Sequence, residues 1–231
     1  MASQDEQVGA FLEKLRSCGA LDRALVIICA DHGEHLGEKQ MMGHVFSIYN
    51  ELTWVPLLIR DPSGDLGRGA QVEQFVSTRR IFHTALTAAG QASSSEENLT
   101  LALSQSATSD PDHGIAFSEA VPPQNLLNAL RQRQPQIVQV RQCDQVRRAV
   151  WEGEYKLIQV GDNHLEVYNV FEDPYENKNL YEALPEQAST MQEHLEAFVS
   201  HTGVAVPTTD YTIEYEDPAI LSHLRNLGYL E

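Results

Sequence analysis

The sequence has few cysteines, little positive charge and no long apolar run. Cys18, Cys29 and Cys143 are too few and too scattered to form a disulfide framework, which favours a reducing compartment. Lysine and arginine together number 16 against 33 acidic residues, for a net charge of −17. Such a surface repels nucleic acid and anionic membranes, so we expect neither as a partner.

The apolar segments are too short for a membrane protein. None approaches the ~20 residues that a spanning helix needs. The amino terminus, MASQDEQVGAFLEKL, has no basic start and no apolar core of the kind that a secretory signal carries. From this sequence we therefore expect a cytoplasmic protein with no membrane span.

What the chain does contain is typical of a globular α/β protein. Apolar residues at helical spacing predict a helix over 4–18, and the continuous apolar run Ala24–Ala30 predicts a strand that is covered on both faces, as in a parallel sheet. A second strand is predicted over Thr53–Ile59, and a helix follows between Ser77 and Gly90. This order indicates part of an α/β layer with a parallel sheet flanked by helices.

The second half has a different pattern. Residues 91–113 are polar and rich in serine, which predicts a loop or linker. Beyond GIAFSEA and the helix-like PPQNLLNALRQRQ, short apolar segments separated by tight turns predict an antiparallel meander, namely IVQVR, VRRAVW, YKLIQV and LEVYNV. Helices are predicted over about 185–200 and from Asp217 onward. We therefore divide the chain into an α/β part, 1–120, and a small antiparallel sheet with helices, 121–231.

Asp31 and His32 stand directly after the first predicted strand. Ligands of parallel α/β sheets bind beyond the carboxyl ends of the strands. A carboxylate and an imidazole can both bind one divalent cation, although a hard ion needs further oxygen ligands. For the tripeptide Asp-His-Gly by itself, a polar strand-to-loop turn is the favoured interpretation. Zinc bound by His32, His35 and Cys29 is a weaker alternative, because that spacing matches no common zinc motif.

Beyond the Asp-His pair, a series of motifs follows along the chain, namely VIICADHGEHLGE, MGHVFSIYNELTWVPLLI, VEQFVSTRRIFHTALTAAG, RRAVWEGEYKLIQV, LEVYNVFEDPYENKNL and LRNLGYLE. This series resembles the sulfatase family of the alkaline-phosphatase superfamily. The segments occur in the family's order and cover nearly the whole chain. The resemblance implies a partial alkaline-phosphatase-like α/β fold followed by the family's small antiparallel subdomain.

The resemblance also implies a chemistry, the hydrolysis of sulfate esters on small molecules or glycans. Asp31 and His32 would be ligands of a divalent metal, most often Ca²⁺, with Mg²⁺ and Mn²⁺ as alternatives. His44 would contact the sulfate, where a positioned cationic donor stabilises the negative charge of the transition state.

The family's nucleophile is missing from this sequence. It is a formylglycine made from the first residue of a Cys-x-Pro/Ala-x-Arg motif, which lies with further Asp ligands in the family's amino-terminal half. Cys143 has an arginine at the right spacing, Arg147, but glutamine stands where the motif has Pro or Ala. We interpret that match as coincidence and expect the chain to be inactive alone.

Three hypotheses remain open from the sequence. The first is a sulfatase, represented by its carboxy-terminal portion. The second is a phosphatase or phosphodiesterase of the same superfamily, because the Asp-His pair suits both. The third is a non-catalytic remnant or interaction module. The expected partners are a sulfate-ester substrate and either the missing amino-terminal half or a second copy of the chain.

Overall fold

A computed structural model describes residues 2–63, 69, 71–72, 75–91 and 114–202. Nearly all of the predicted linker 91–113 and the predicted final helix after Asp217 lie outside the described residues. Within those residues, no helix is long and apolar enough to cross a membrane.

The described residues contain six α-helices, two short 3-10 helices (Leu21–Arg23 and Glu38–Gln40) and eight strands. The helices are α1 Ala2–Ser17, α2 Asn50–Thr53, α3 Arg80–Ala88, α4 Gln124–Arg133, α5 Pro135–Arg141 and α6 Pro185–Thr202. The strands are β1 Val26–Cys29, β2 His35–Leu36, β3 Met42–Gly43, β4 Leu57–Arg60, β5 Ala116–Ala120, β6 Arg147–Glu152, β7 Tyr155–Val160 and β8 His164–Asn169. The α/β class that the sequence predicts is thus confirmed.

The predicted parallel arrangement of the first two long strands is wrong. β1 and β4 are antiparallel neighbours, and Cys29 at the end of β1 lies opposite Leu57 at the start of β4. The connection between them begins and ends at the same edge of the sheet, so the chain reverses direction instead of crossing over. An apolar run predicts a strand, but only the path of the connection decides its direction.

The antiparallel meander forms a four-stranded sheet in the order β5-β6-β7-β8. Val150, Leu157 and Val167 point to one face, where they pack against the apolar side of α6. On the opposite face Trp151 and Ile158 pack with Ile48, a residue of the connection between β1 and β4. The sheet therefore forms the main core and also supports the segment that leads into α2.

One predicted strand of the meander is a helix. The segment IVQVR lies in α5, which begins at Pro135. A five-residue apolar run does not distinguish strand from helix, and a proline at the first helical position favours the helix. Val138 of α5 packs with Leu127 of α4 and with Cys143.

Internal contacts divide the chain into one unit of Met1–Glu196 and another of Ala197–Glu231. β5, which ends at Ala120, pairs along its length with β6. This pairing joins residues on both sides of the division that we placed after residue 120, and that division stays a prediction.

Candidate functional site

Asp31 lies in the loop after β1. One residue, Ala30, separates it from the end of that strand. Its carboxylate is exposed, and one oxygen accepts a hydrogen bond from the backbone N–H of His32 at 3.0 Å. This hydrogen bond, together with the nearby His32 ring, holds the pKa of Asp31 below its usual range. The carboxylate is therefore ionised at neutral pH and available to a cation.

The His32 ring is oriented by its own loop. Its Nδ1 lies 2.9 Å from the carbonyl oxygen of Gly33. Because a carbonyl oxygen can only accept, Nδ1 carries the hydrogen and Nε2 keeps the lone pair in the neutral ring. Nε2 lies 3.7 Å from Oδ2 of Asp31. The two predicted metal ligands thus present an oxygen and a nitrogen side by side, which fits two positions of a divalent-metal site.

Gly33 joins this loop to the end of α2. Its N–H donates to the carbonyl oxygen of Leu52 at 2.9 Å. A Cβ at this position would lie 1.9 Å from the carbonyl oxygen of Glu51. Glycine is therefore required here by the close approach of two backbone segments, and the approach fixes the position of Asp31 and His32.

The hairpin of β2 and β3 brings His44 to the same place. His35 pairs with Gly43, so Glu34 and His44 lie opposite each other one step beyond that pair. Nδ1 of His44 lies 2.7 Å from Oε1 of Glu34, and both side chains are about half exposed. The sequence analysis did not select Glu34 as a site residue. Glu34 is identified only by the register of the hairpin. Strands of two residues do not reveal their register in the sequence.

The rings of His32 and His44 lie against each other at a tilt of 31°, with centroids 4.3 Å apart. One nitrogen from each ring and one oxygen of Glu34 lie within 4.8 Å of one another. The structure therefore brings together His32 and His44, which are twelve residues apart in the sequence, with the carboxylate of Glu34.

These residues line an open cleft of about 1050 Å³. Asp31, His32 and His44 are among its charged and polar lining residues, and Trp54 and Phe75 are among its aromatic ones. The two aromatic rings pack edge to face with their centroids 6.1 Å apart. A cleft with a few polar groups among aromatic side chains is typical of a small-molecule site.

His35 has a structural role. It is fully buried, and its Nε2 lies 2.8 Å from Oγ of Ser47. Burial lowers the pKa of His35, so the neutral ring is favoured. It points to the opposite side of β2 from Glu34 and Leu36, both of which are exposed.

A buried lysine from the four-stranded sheet holds the segment behind the cleft. Nζ of Lys156 donates to the carbonyl oxygen of Ile48 at 2.7 Å and to Oδ1 of Asn50 at 3.1 Å. It also pairs with Oε1 of Glu176 at 2.7 Å. The other oxygen of Glu176 accepts a hydrogen bond from the Asn50 N–H at 2.6 Å. Burial lowers the pKa of Lys156 to about 8. Nothing in the sequence distinguishes this lysine from a surface one.

Cys29 and Cys143 do not supply an activated nucleophile. Cys143 is buried, and burial raises the pKa of its thiol. Burial and the charge of Asp31 raise the pKa of Cys29, whose thiol lies 3.1 Å from the carbonyl oxygen of Ala30. Both environments disfavour the thiolate, which is the reactive form. Arg147 beside Cys143 donates to the carbonyl oxygens of Arg141 and Gln145 and has a structural role.

Comparison with known proteins gives consistent results. Residues 1–91 match the family model described as Sulfatase. A curated relative, arylsulfatase K of Bos taurus, is 35% identical over 89 residues, which are 38% of this chain and 16% of the relative. The chain therefore spans a small part of that relative's length.

Solved structures share the fold over most of this chain. A 2-O glycosaminoglycan sulfatase matches with a TM-score of 0.66 at 22% identity, covering 86% of this chain and 41% of that one. A phosphonate monoester hydrolase of Agrobacterium radiobacter matches with a TM-score of 0.62 at 24% identity, covering 87% and 39%. A structure bound to its substrate D-glucosamine-2-N,6-O-disulfate matches with a TM-score of 0.63 at 19% identity, covering 88% and 39%.

Proposed function

We propose, on the premise that this chain is a partial member of the sulfatase family, that it supplies one part of a site for hydrolysing sulfate esters. The observation that supports this most is the convergence of three side chains on one cleft. Asp31 and His32 follow β1, His44 comes from the hairpin, and all three line the same cavity.

Asp31 and His32 would hold two positions of a divalent-metal site, for which Ca²⁺ is the expected ion. The remaining oxygen ligands would come from residues outside this sequence, since a hard cation takes six or more. When bound, such an ion supplies Lewis-acid stabilisation of negative charge. The backbone contact at Gly33 keeps the two ligands at the mouth of the cleft.

His44 would bind the sulfate. Its Nδ1 donates to Glu34, so Nε2 is the ring atom left to face a substrate. When the ring carries a hydrogen on Nε2, that nitrogen can donate a hydrogen bond to a sulfate oxygen. Glu34 would therefore act as a positioning residue for His44.

The nucleophile would come from a polypeptide segment that this sequence does not contain. No Cys-x-Pro/Ala-x-Arg segment is present. We therefore propose that the active protein joins this chain to the family's amino-terminal portion and that the chain alone is inactive. Association of two copies is an alternative. A cytoplasmic location stays a prediction.

The substrate would be a sulfate ester of a sugar or another small molecule. One structural neighbour is described with a disulfated glucosamine as its substrate, and another is a glycosaminoglycan sulfatase. The exposed Trp54 at the cleft offers a flat apolar surface of the kind that sugars stack on. The phosphonate monoester hydrolase neighbour supports a second candidate, a phosphoester or phosphonate hydrolase.

A paired assay separates these candidates. The DNA upstream of Met1 would be read in all frames, and any segment that encodes the nucleophile motif would be expressed joined to this chain. The product would be assayed with 4-nitrophenyl sulfate and with 4-nitrophenyl phosphate, each with Ca²⁺ and with a chelator.

We expect cleavage of the sulfate ester, dependent on Ca²⁺ and lost in Asp31→Ala and His44→Ala. The matched control is His164→Ala, which removes another half-exposed histidine next to a carboxylate. Preference for the phosphate ester would favour the second candidate. Absence of activity toward both esters would overturn the proposal.

A further inference from the structure

We propose that His32, Glu34 and His44 form a binding site for a transition-metal ion such as Zn²⁺ in this chain. This site shares His32 with the calcium half-site but uses Glu34 and His44 in place of Asp31, so the two ions would compete for the His32 ring. It does not depend on the proposed hydrolase activity.

The geometry of the three side chains supports such a site. One ligand atom from each lies within 4.8 Å of the other two. Ligand atoms around a tetrahedral zinc ion are about 3.3 Å apart, given zinc–nitrogen and zinc–oxygen bonds of about 2.0–2.2 Å. The three side chains are exposed, so small rotations can close that difference without disturbing the core.

The backbone beneath the three residues is held in place. The β2–β3 pairing sets Glu34 opposite His44. The hydrogen bond from Gly33 to Leu52 anchors the residue between His32 and Glu34. The Nδ1 contact of His32 with the Gly33 carbonyl oxygen leaves Nε2 as its ligand atom. Binding therefore needs side-chain adjustment only, and the hydrogen bond on the other ring nitrogen of His32 is the usual support of a zinc-bound histidine.

The donor set selects the class of ion. Two imidazole nitrogens and one carboxylate oxygen suit zinc, copper and nickel, whereas Ca²⁺ and Mg²⁺ prefer oxygen ligands alone. Three protein ligands also leave a fourth position open to solvent.

The test is a calorimetric titration of the full chain with ZnCl₂ after treatment with a chelator. We expect one equivalent of zinc per chain. His44→Ala and Glu34→Gln should each weaken the affinity at least about tenfold, since loss of even an outer partner of a metal ligand commonly has an effect of that size. Replacement of zinc by Co²⁺ should give the visible absorption of a four-coordinate ion.

Two control variants make the test specific. His164 is 50% exposed and His44 is 52% exposed, and each contacts a glutamate, so His164→Ala should leave zinc affinity unchanged. Asp31→Asn removes a charge 3.7 Å from Nε2 of His32 and should weaken zinc binding less than Glu34→Gln does. The proposal is overturned if no stoichiometric binding occurs, if His164→Ala weakens binding as much as His44→Ala, or if Asp31→Asn abolishes binding while Glu34→Gln does not. Circular dichroism spectra would confirm that each variant is folded.

Discussion

At the scale of single residues, the position of the site depends on groups that do no chemistry. Gly33 allows the loop after β1 to contact the backbone of α2. Lys156 donates a hydrogen bond to the carbonyl oxygen of Ile48, in the segment that leads into α2. The Asp-His pair could be selected from the sequence because an acid and an imidazole after an apolar strand are unusual. Glu34 and Lys156 could not, because their importance comes from contacts between distant segments.

Replacing Gly33 should damage the site and the fold together. In Gly33→Ala the new Cβ would lie 1.9 Å from the Glu51 carbonyl oxygen, so one of the two backbone segments must move. We expect a loss of about 2–4 kcal/mol in the free energy of unfolding, measured by urea denaturation. The control is Gly9→Ala in α1, where no atom lies within 4 Å of the new Cβ. That change should be neutral or slightly stabilising, since alanine favours helix. Equal effects of the two changes would contradict this role for Gly33.

The buried ammonium of Lys156 predicts a pH dependence of stability. Burial lowers its pKa to about 8, whereas an unfolded lysine titrates near about 10.4. Between these values the unfolded chain binds more protons, so the Lys156 contribution to the free energy of unfolding rises with pH. Across this pH range the free energy of unfolding should rise by about 3 kcal/mol.

Urea denaturation at about pH 7.5 and about pH 10 measures this contribution. The reference is the double variant Lys156→Met/Glu176→Gln, which removes both members of the buried pair. Wild type should gain stability relative to this reference as the pH rises. An unchanged or falling difference would show that Lys156 is not held in a desolvated environment.

At the scale of elements, the sequence predicts the existence of most helices and strands but not their direction. The turns at Glu152-Gly153 and after Val160 correctly separate β6, β7 and β8, because glycine and polar residues interrupt three apolar runs. The antiparallel pairing of β1 with β4 was not predictable, since strand direction follows from a 27-residue connection with little regular structure of its own. The helix at IVQVR was not predicted, because its short apolar run fits the period of a helix as well as that of a strand.

The contact between β7 and the segment before β4 is a second feature that only the structure reveals. Lys156→Met would leave the Glu176 carboxylate buried without its partner, which we expect to cost about 3–5 kcal/mol. Adding Glu176→Gln removes that charge while keeping an acceptor for the Asn50 N–H, so the double variant should be more stable than Lys156→Met. Urea denaturation of wild type, Lys156→Met, Glu176→Gln and the double variant gives the interaction energy between the two residues, expected at about 1–3 kcal/mol. Strict additivity would contradict a coupled pair.

At the scale of the whole molecule, the two sheets are covered to different extents. Both faces of the four-stranded sheet are buried, whereas no residue of β1 is fully buried although all four are apolar. Phe11 of α1 and Leu58 of β4 are 61% and 58% exposed. The apolar run of β1 predicts burial on both faces, but the described residues bury it only in part. This is consistent with a chain that spans about 40% of the length of its structural neighbours.

This exposed apolar surface predicts self-association of the isolated chain. Exposed apolar patches associate in water, so analytical ultracentrifugation should show oligomers that increase with concentration. Phe11→Glu and Leu58→Glu should reduce the association. Gln139→Glu, which adds the same charge at an exposed polar residue of α5, should not. A monomer at all concentrations would contradict this prediction.

The most direct test of the central claim is the Ca²⁺ dependence of sulfate-ester hydrolysis by the protein that joins this chain to a segment carrying the nucleophile. The account predicts that activity saturates with Ca²⁺ in wild type. It also predicts that Asp31→Asn requires more Ca²⁺ and that His44→Ala loses activity at every Ca²⁺ concentration. Hydrolysis that is independent of Ca²⁺, or an unchanged Ca²⁺ requirement in Asp31→Asn, would contradict the assignment of Asp31 and His32 to the metal site.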